Sequence, residues 1–195
     1  KGRDEELRAP CDIPPRTKSV RDGYAVVAAD TIGASTTSPV ELPVVGVIAA
    51  GQLPERPLAP GTVVRIMTGA PVPDGSDAVV PFEDTDELER KKSGSDGSMS
   101  AISINTAAEP GDNIRDAGED ITAGTVVFDE GEILGAAHIG VIASLGRATM
   151  RAIRRPVVAI VSTGNELLEP GQKHQPGKIY NSNAYSVAAM VARYG

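Results

Sequence analysis

The chain has 195 residues, with 19 basic and 26 acidic side chains and a formal net charge of −7. That acidic balance argues against a nucleic-acid partner, because phosphate contacts call for a basic excess. No apolar run is long enough to span a bilayer. The single cysteine, Cys11, excludes an internal disulfide framework and a cysteine-based zinc site, and it fits a reducing cytoplasm.

Hydrophobic residues make up 41% of the chain, with two Phe, four Tyr and no Trp, so the core must be aliphatic. Gly (21) and Pro (15) are abundant and imply many turns between short elements. Lys1 to Leu7 is charged and unlike a signal peptide. The sequence starts at Lys1 rather than Met and stops at Gly195 just past a helix-like stretch, so it reads as part of a longer chain.

In chain order, short apolar runs at Tyr24–Ala28, Val40–Ile48, Thr62–Thr68, Asp77–Phe82 and Ala101–Asn105 predict strands of a β-rich module. The polar, Gly/Ser-containing stretch from Glu87 to Ser100 reads as an exposed hairpin tip. After Gly131 the period changes. Leu134, Ala137, Val141, Ile142 and Leu145 recur at helical spacing, and Gly146 supplies the stop. Arg147–Ile153 offers another short strand. Val157–Val161 is an unbroken apolar run, as in a parallel strand covered on both faces. Asn181-Ser182-Asn183 then offers N-cap residues for a helix carrying Val187, Met190, Val191 and Tyr194. Strand, loop and helix in that order open a βαβ unit.

Chemistry concentrates in four stretches: Ser19–Ala25, Arg65–Pro73, Asn113–Asp120 and Ser162–Leu167. Taken singly, three of them have plain accounts. Asp22-Gly23 is a common turn dipeptide, Thr68-Gly69 ends a strand, and the charges of 112–120 suit a solvated loop. Glu166 is more suggestive, since it follows the carboxyl end of an expected buried strand, where open α/β sheets place ligands. His138 and His174, the only histidines, and Cys11 are assigned no role, and Lys178 reads as a solvated lysine.

Taken together, the four stretches match an ordered set: S-x-x-DGYA at Ser19–Ala25, R-x-x-TGAP-x-P at Arg65–Pro73, an N-I-R-x-x-GED-like segment at Asn113–Asp120, and STG-N-EL at Ser162–Leu167. Pro14-Pro15, Gly75–Val80, Pro176–Ile179 and Asn181–Asn183 agree as lesser markers. On these residues the chain resembles the MoeA/gephyrin family of molybdopterin molybdotransferases along essentially its whole length, as an N-terminal half. It departs at Val27, where the family commonly has Arg, and at Asp116-Ala117, which replace a more basic or Pro-containing pair. The Glu87–Ser100 loop is variable.

The resemblance implies insertion of molybdenum from molybdate into adenylated molybdopterin, with release of AMP and with magnesium as the divalent cation. It implies Asp22, Thr68, Arg115, Asp120 and Glu166 as catalytic residues, and Ser162, Thr163, Gly164 and Asn183 as cofactor-binding residues. Asp22, Asp120 and Glu166 are the implied magnesium ligands, with their individual roles open. Arg115 would clamp an oxyanion and Thr68 would donate a hydrogen bond. It also implies a cytoplasmic homodimer with a small anionic substrate, in contact with other cofactor-biosynthesis proteins. The expected fold is mixed α+β and multi-domain: an elongated linking domain from residues 1–18 plus 120–155, a β-rich domain over 19–119, and the start of an α/β molybdopterin-binding domain over 156–195. The Gly-Gly-Val-Ser, Lys-Pro-Gly and Pro-Gly-Asn-Pro stretches of the family's α/β domain do not occur here, so the 195 residues are expected not to suffice for catalysis. Two other readings stand beside this one: a scaffold relative that anchors partners, and a generic nucleotide-binding α/β protein. The second lacks both G-x-x-x-x-G-K-[ST] and G-x-G-x-x-G.

Overall fold

The computed structural model describes residues 7–92 and 100–194. The elements, in order, are β1 (Leu7–Arg8), β2 (Lys18–Ser19), β3 (Gly23–Val26), β4 (Val40–Ile48), β5 (Val63–Ile66), β6 (Ala78–Pro81), α1 (Glu87–Lys92), β7 (Ala101–Ile104), β8 (Ile114–Arg115), β9 (Val126–Phe128), α2 (Ala136–Ser144), β10 (Leu167–Leu168), β11 (Ile179–Tyr180) and α3 (Ser182–Tyr194). They fall into two compact units, 5–149 and 150–195.

The first unit is built on a mixed sheet in the order β6-β3-β5-β4-β7. β3 pairs antiparallel with β5 and β6, β4 runs parallel to β5, and β7 closes the far edge antiparallel to β4. Side chains alternate along each strand, and here both faces are covered. Tyr24, Val26, Val63, Ala78, Val80, Ile102 and Ile104 pack on one face, and Ala25, Val64, Ile66, Val79, Leu58 and Ala70 on the other. The five expected strands are these five, and Val40–Ile48 has the bounds read from sequence.

Two short ladders tie the flanking segments to this sheet's unit: β1 with β9, and β2 with β8. Helix α2 occupies the expected region. It buries Ile142, with Leu145 at its C-cap, leaves Ile139 exposed, and stops at Gly146 with φ 71°. His138, in the first turn of α2, accepts the Gly135 N–H at Nδ1 (2.9 Å) and packs on Phe128, so it serves the helix start.

Three expectations are corrected. The Glu87–Ser100 stretch is not an exposed tip at its start: Glu87–Lys92 is helix α1, and Glu87 is buried to 1% exposure. Residues 93–99 of that stretch lie outside the described residues. Arg147–Ile153 forms no strand. Val157–Val161 likewise forms no strand and is not covered, with Val157 82% and Val161 80% exposed. A continuous apolar run becomes a buried strand only where neighbours supply ladder bonds. Among the described residues of the second unit, the only ladder is the two-residue parallel pair β10–β11.

In the second unit α3 follows the predicted cap. The Asn181 side-chain oxygen accepts the Ala184 N–H at 3.3 Å, as an N-cap residue does. No α3 side chain is buried.

Two outcomes follow from these contacts. A Cβ added at Gly23 would lie 2.0 Å from the Val80 carbonyl oxygen across the β3–β6 ladder. Gly23→Ala is therefore expected to destabilise the first unit by about 2 kcal/mol or more in urea unfolding. Asn181→Ala removes the α3 cap and should weaken that helix by ~1 kcal/mol, read as faster amide exchange in its first turns.

Candidate functional site

Three of the four singled-out stretches meet on one patch of the first unit. The Ser19 segment runs between the other two. Ser19 N–H donates to the Ala70 carbonyl (3.0 Å), Gly69 N–H to the Ser19 carbonyl (2.8 Å), and Val20 N–H to the Asn113 carbonyl (3.0 Å). Ser19 itself is buried, and its hydroxyl donates to the Arg21 carbonyl at 2.5 Å. Lys18 is register partner to Arg115. Asn113 sits at φ 54°, a left-handed position that asparagine tolerates, and its side-chain amide donates to the Val79 carbonyl at 2.8 Å.

Asp22 and Thr68 are brought together at the end of β3 and β5. Asp22 Oδ1 accepts the Thr68 backbone N–H at 2.6 Å and the Thr68 hydroxyl at 2.7 Å. The backbone bond first, then the hydroxyl, hold the Asp22 carboxyl below the usual carboxylate range, against a small desolvation and helped by Arg65. A carboxylate can only accept, so the hydroxyl proton must point at Asp22. Thr68 donates its hydrogen bond to Asp22. Its one proton serves Asp22, and toward a ligand its oxygen is an acceptor.

Arg115 and Asp120 form the second pair. Arg115 contacts Asp120 through Nη2 and Glu119 Oε1 through Nε at 3.1 Å. Asp120 is anchored by its N–H to the Ile13 carbonyl at 2.9 Å, and Gly118 N–H reaches the Pro14 carbonyl at 3.0 Å. The segment bearing Arg115 is thus stitched to the Pro14-Pro15 approach. Beside the Gly69 turn lies a cleft of about 400 Å³, walled by Pro14, Pro15, Lys18, Leu53, Gly69 and Pro71. Neither Asp22 nor Thr68 lines it.

Behind the Asp22–Thr68 contact is a network that the sequence reading missed. Arg65 Nε and Nη2 contact Glu87 at 2.9 and 3.3 Å, and Tyr24 donates its hydroxyl to Glu87 at 2.9 Å. Lys91, one turn on, completes the set at 2.5 Å. Burial pushes the Glu87 carboxyl up, but the bonds from Lys91, Tyr24 and Arg65 outweigh it and leave it below its ordinary range. Burial, then Glu87, drives the Tyr24 hydroxyl far above its usual value. The available signal was the i, i+4 spacing of Asp86 with Arg90 and of Glu87 with Lys91, which marks a helix.

The fourth stretch lies in the second unit. Ser162 donates to Asn181 Oδ1 at 3.1 Å, and the Asn181 amide donates to Glu169 at 3.2 Å. Tyr185 also donates to Glu169, at 3.1 Å, and this bond raises its hydroxyl above the ordinary range. The Glu166 carboxylate is exposed and folds over Gly164, where an added Cβ would meet its oxygens at 2.5 and 2.6 Å. Gly164 has φ 153°, so the demand for glycine there is conformational, since the exposed Glu166 side chain can swing aside. Lys178 is not simply solvated, since its ammonium donates to the Asn165 carbonyl. Asn183 heads α3 and its carbonyl accepts the Ser186 hydroxyl at 3.1 Å. Thr163 makes no side-chain hydrogen bond among the described residues.

Among the described residues, no three His, Cys, Asp or Glu side chains gather as a metal cage. Asp120 is tied to Arg115. Asp22 has one oxygen taken by Thr68 and a second that accepts no bond among the described residues. A magnesium ion that keeps waters and substrate phosphates needs only one or two carboxylates, and an open Asp22 oxygen fits that demand. A closed all-protein site does not exist in either unit among the described residues.

The family model described as the MoeA N-terminal region, domains I and II, matches residues 4–146. A protein of Mycobacterium tuberculosis named molybdopterin molybdenumtransferase 2 is 44% identical over 190 residues, covering 97% of this chain and 44% of its own length. The Bacillus subtilis molybdopterin molybdenumtransferase is 39% identical over 191 residues, 98% of this chain and 43% of its own. The crystal structure of the molybdopterin biosynthesis moeA protein from Pyrococcus horikoshii OT3 superposes with a TM-score of 0.81 at 29% identity, over 97% of this chain and 48% of that one. This chain spans less than half the length of the relatives it matches.

The Asp22–Thr68 geometry makes a measurable prediction. Thr68→Val deletes the hydroxyl and keeps the backbone N–H, which is the larger contributor. In a carbon-13 NMR titration the Asp22 carboxyl should rise part-way to its ordinary range and stop short of it. With its folded value depressed, this carboxyl adds stability that is complete above the ordinary carboxylate range and is lost as pH falls through the lowered value. The variant should narrow that acid-side loss. An unchanged Asp22 titration would remove the hydroxyl from the account.

Proposed function

Because the chain belongs to the MoeA family, we propose that it is part of an enzyme of molybdenum cofactor biosynthesis that transfers molybdenum from molybdate to molybdopterin, with the adenylated pterin as substrate and AMP as the leaving product. The observation that carries this reading is the convergence of Ser19–Ala25, Arg65–Pro73 and Asn113–Asp120 into one hydrogen-bonded patch that presents Asp22, Thr68, Arg115 and Asp120.

Both substrates are anions. Arg115 engages its two acidic neighbours through Nε and Nη2, which leaves Nη1 to donate to an oxyanion. Asp120 is then a partner that aims Arg115 and is the less suited of the three carboxylates to hold a cation. In the first unit Asp22 is the carboxylate open to magnesium, and in the second unit it is Glu166. The ion, bound also by substrate phosphate oxygens, would neutralise charge as AMP departs. Thr68 fixes which Asp22 oxygen faces outward. In the second unit, Ser162, Thr163, Gly164 and Asn183 form a turn and helix start suited to a polar ligand, with Ser162 oriented by Asn181. The same reading includes a cytoplasmic homodimer, contacts with other cofactor-biosynthesis proteins, and a division into residues 1–18 plus 120–155, 19–119 and 156–195. The resemblance to the family supports these.

The test is AMP release from adenylated molybdopterin by the complete enzyme, with molybdate and magnesium. Asp22→Asn and Glu166→Ala should each lower the rate by roughly a hundredfold while the proteins remain folded. A folded complete enzyme that releases no AMP would end this reading.

A further inference from the structure

We propose that Glu87, which lies outside every singled-out motif, is a positioning residue that holds Asp22 against Thr68 by way of Arg65. The inference deepens the reading of Asp22 and Thr68 as site residues and rests on it.

Arg65 is the bracket. Its Nη1 donates to the Gly23 carbonyl at 3.2 Å and to the Ile66 carbonyl at 2.8 Å. Gly23 directly follows Asp22, and Ile66 stands two residues before Thr68. The two carbonyls belong to register partners on β3 and β5. One guanidinium nitrogen thus spans both strands where they leave the sheet for the Asp22–Thr68 contact. The ring planes of Tyr24 and Phe82 flank the guanidinium, with centroids 5.4 and 5.7 Å from its carbon. Phe82 also donates its N–H to the Asp22 carbonyl at 3.1 Å, so the residue that packs on Arg65 holds the Asp22 backbone as well.

An arginine side chain has long reach and many rotamers. Something must fix it for the bracket to hold position. Glu87 does so with a two-point contact to Nε and Nη2, at 1% exposure and with its remaining capacity met by Tyr24 and Lys91. A bidentate charged pair sets the guanidinium plane as well as its place. No described side chain other than Glu87 supplies a carboxylate to Arg65. Glu87 is far from the reacting atoms in role, since it touches neither Asp22 nor Thr68 and acts through the orientation of Arg65.

Glu87→Gln keeps the size and removes the charge. In the complete enzyme, AMP release should show kcat lowered by about tenfold or more, with KM for molybdate nearly unchanged, because misplacement penalises the chemical step. Independently of activity, exchange of the Thr68 amide proton, which Asp22 holds at 2.6 Å, should quicken by a similar factor. In an Asp22→Ala background, which removes both bonds from Thr68, Glu87→Gln should add less than about twofold, because both changes act on one contact. Tyr24→Phe, which drops one bond to Glu87 and keeps the ring, should shift the Thr68 amide in the same direction by less, and it decides the matter should Glu87→Gln not fold. Unchanged Thr68 exchange in a folded variant, or fully additive kcat losses in the double variant, would overturn the proposal and leave Glu87 a packing residue. Absence of AMP release from the unmodified enzyme would instead strike the functional reading, while the amide data would still report on the bracket.

Discussion

A charged carboxylate buried beside an apolar sheet is the constraint around which the first unit is arranged. Left unpaired, such a group would neutralise or disrupt its surroundings. Here Glu87 is met by an arginine fork, a phenol and an ammonium, from two strands and its own helix. Each partner offsets part of the cost of burying the carboxylate. The set therefore fixes the position of α1 on the sheet face and the orientation of Arg65 together. Such a network adds little stability beyond what an apolar filling would give. What it adds is a defined direction for the guanidinium, and that direction is spent on two carbonyls next to the proposed site.

The small residues of the motifs follow from the same geometry. Gly23 lies where β3 crosses close to the Val80 carbonyl, so even a methyl group is excluded. Gly69 turns the chain at φ 83° with open space around it, and there the demand is conformational. Two glycines that look alike in sequence thus have different causes. The aspartate before the first and the threonine before the second then face each other, because Gly23 and Ile66 are register partners.

Much of this was legible in sequence, and for identifiable reasons. The five strands of the sheet were readable because apolar runs of strand length were punctuated by Gly and Pro, and both faces of the sheet are covered. The α3 cap was readable because Asn181 stands just ahead of the helical spacing. Glu87 was not readable as a core residue, because a run rich in Glu, Arg and Lys looks solvated until its partners are known. Tyr24 and Arg65 were in plain view within the motifs. Their link to Glu87 spans 63 and 22 residues, a separation no local pattern reports. The Val157–Val161 run failed in the opposite way. Its composition promised burial, but burial belongs to the neighbours of a strand as much as to the strand.

The pairings also bear on what the proposed site residues can do. A list of three acids, an arginine and a threonine suggests several independent donors and ligands. In the fold, Thr68 has committed its proton to Asp22, and Arg115 has committed two of its donor positions to Glu119 and Asp120. The patch is therefore net negative at Arg115, where one guanidinium meets two carboxylates, and directional at Asp22. An anionic substrate meeting it would face a restricted set of donors, chiefly the free end of Arg115, and one open carboxylate oxygen that repels it unless a cation intervenes. That requirement rests on the proposed anionic substrate together with the hydrogen-bond inventory. Under the proposed function, a divalent cation held chiefly by the substrate's phosphate oxygens would suit this patch better than one caged by protein.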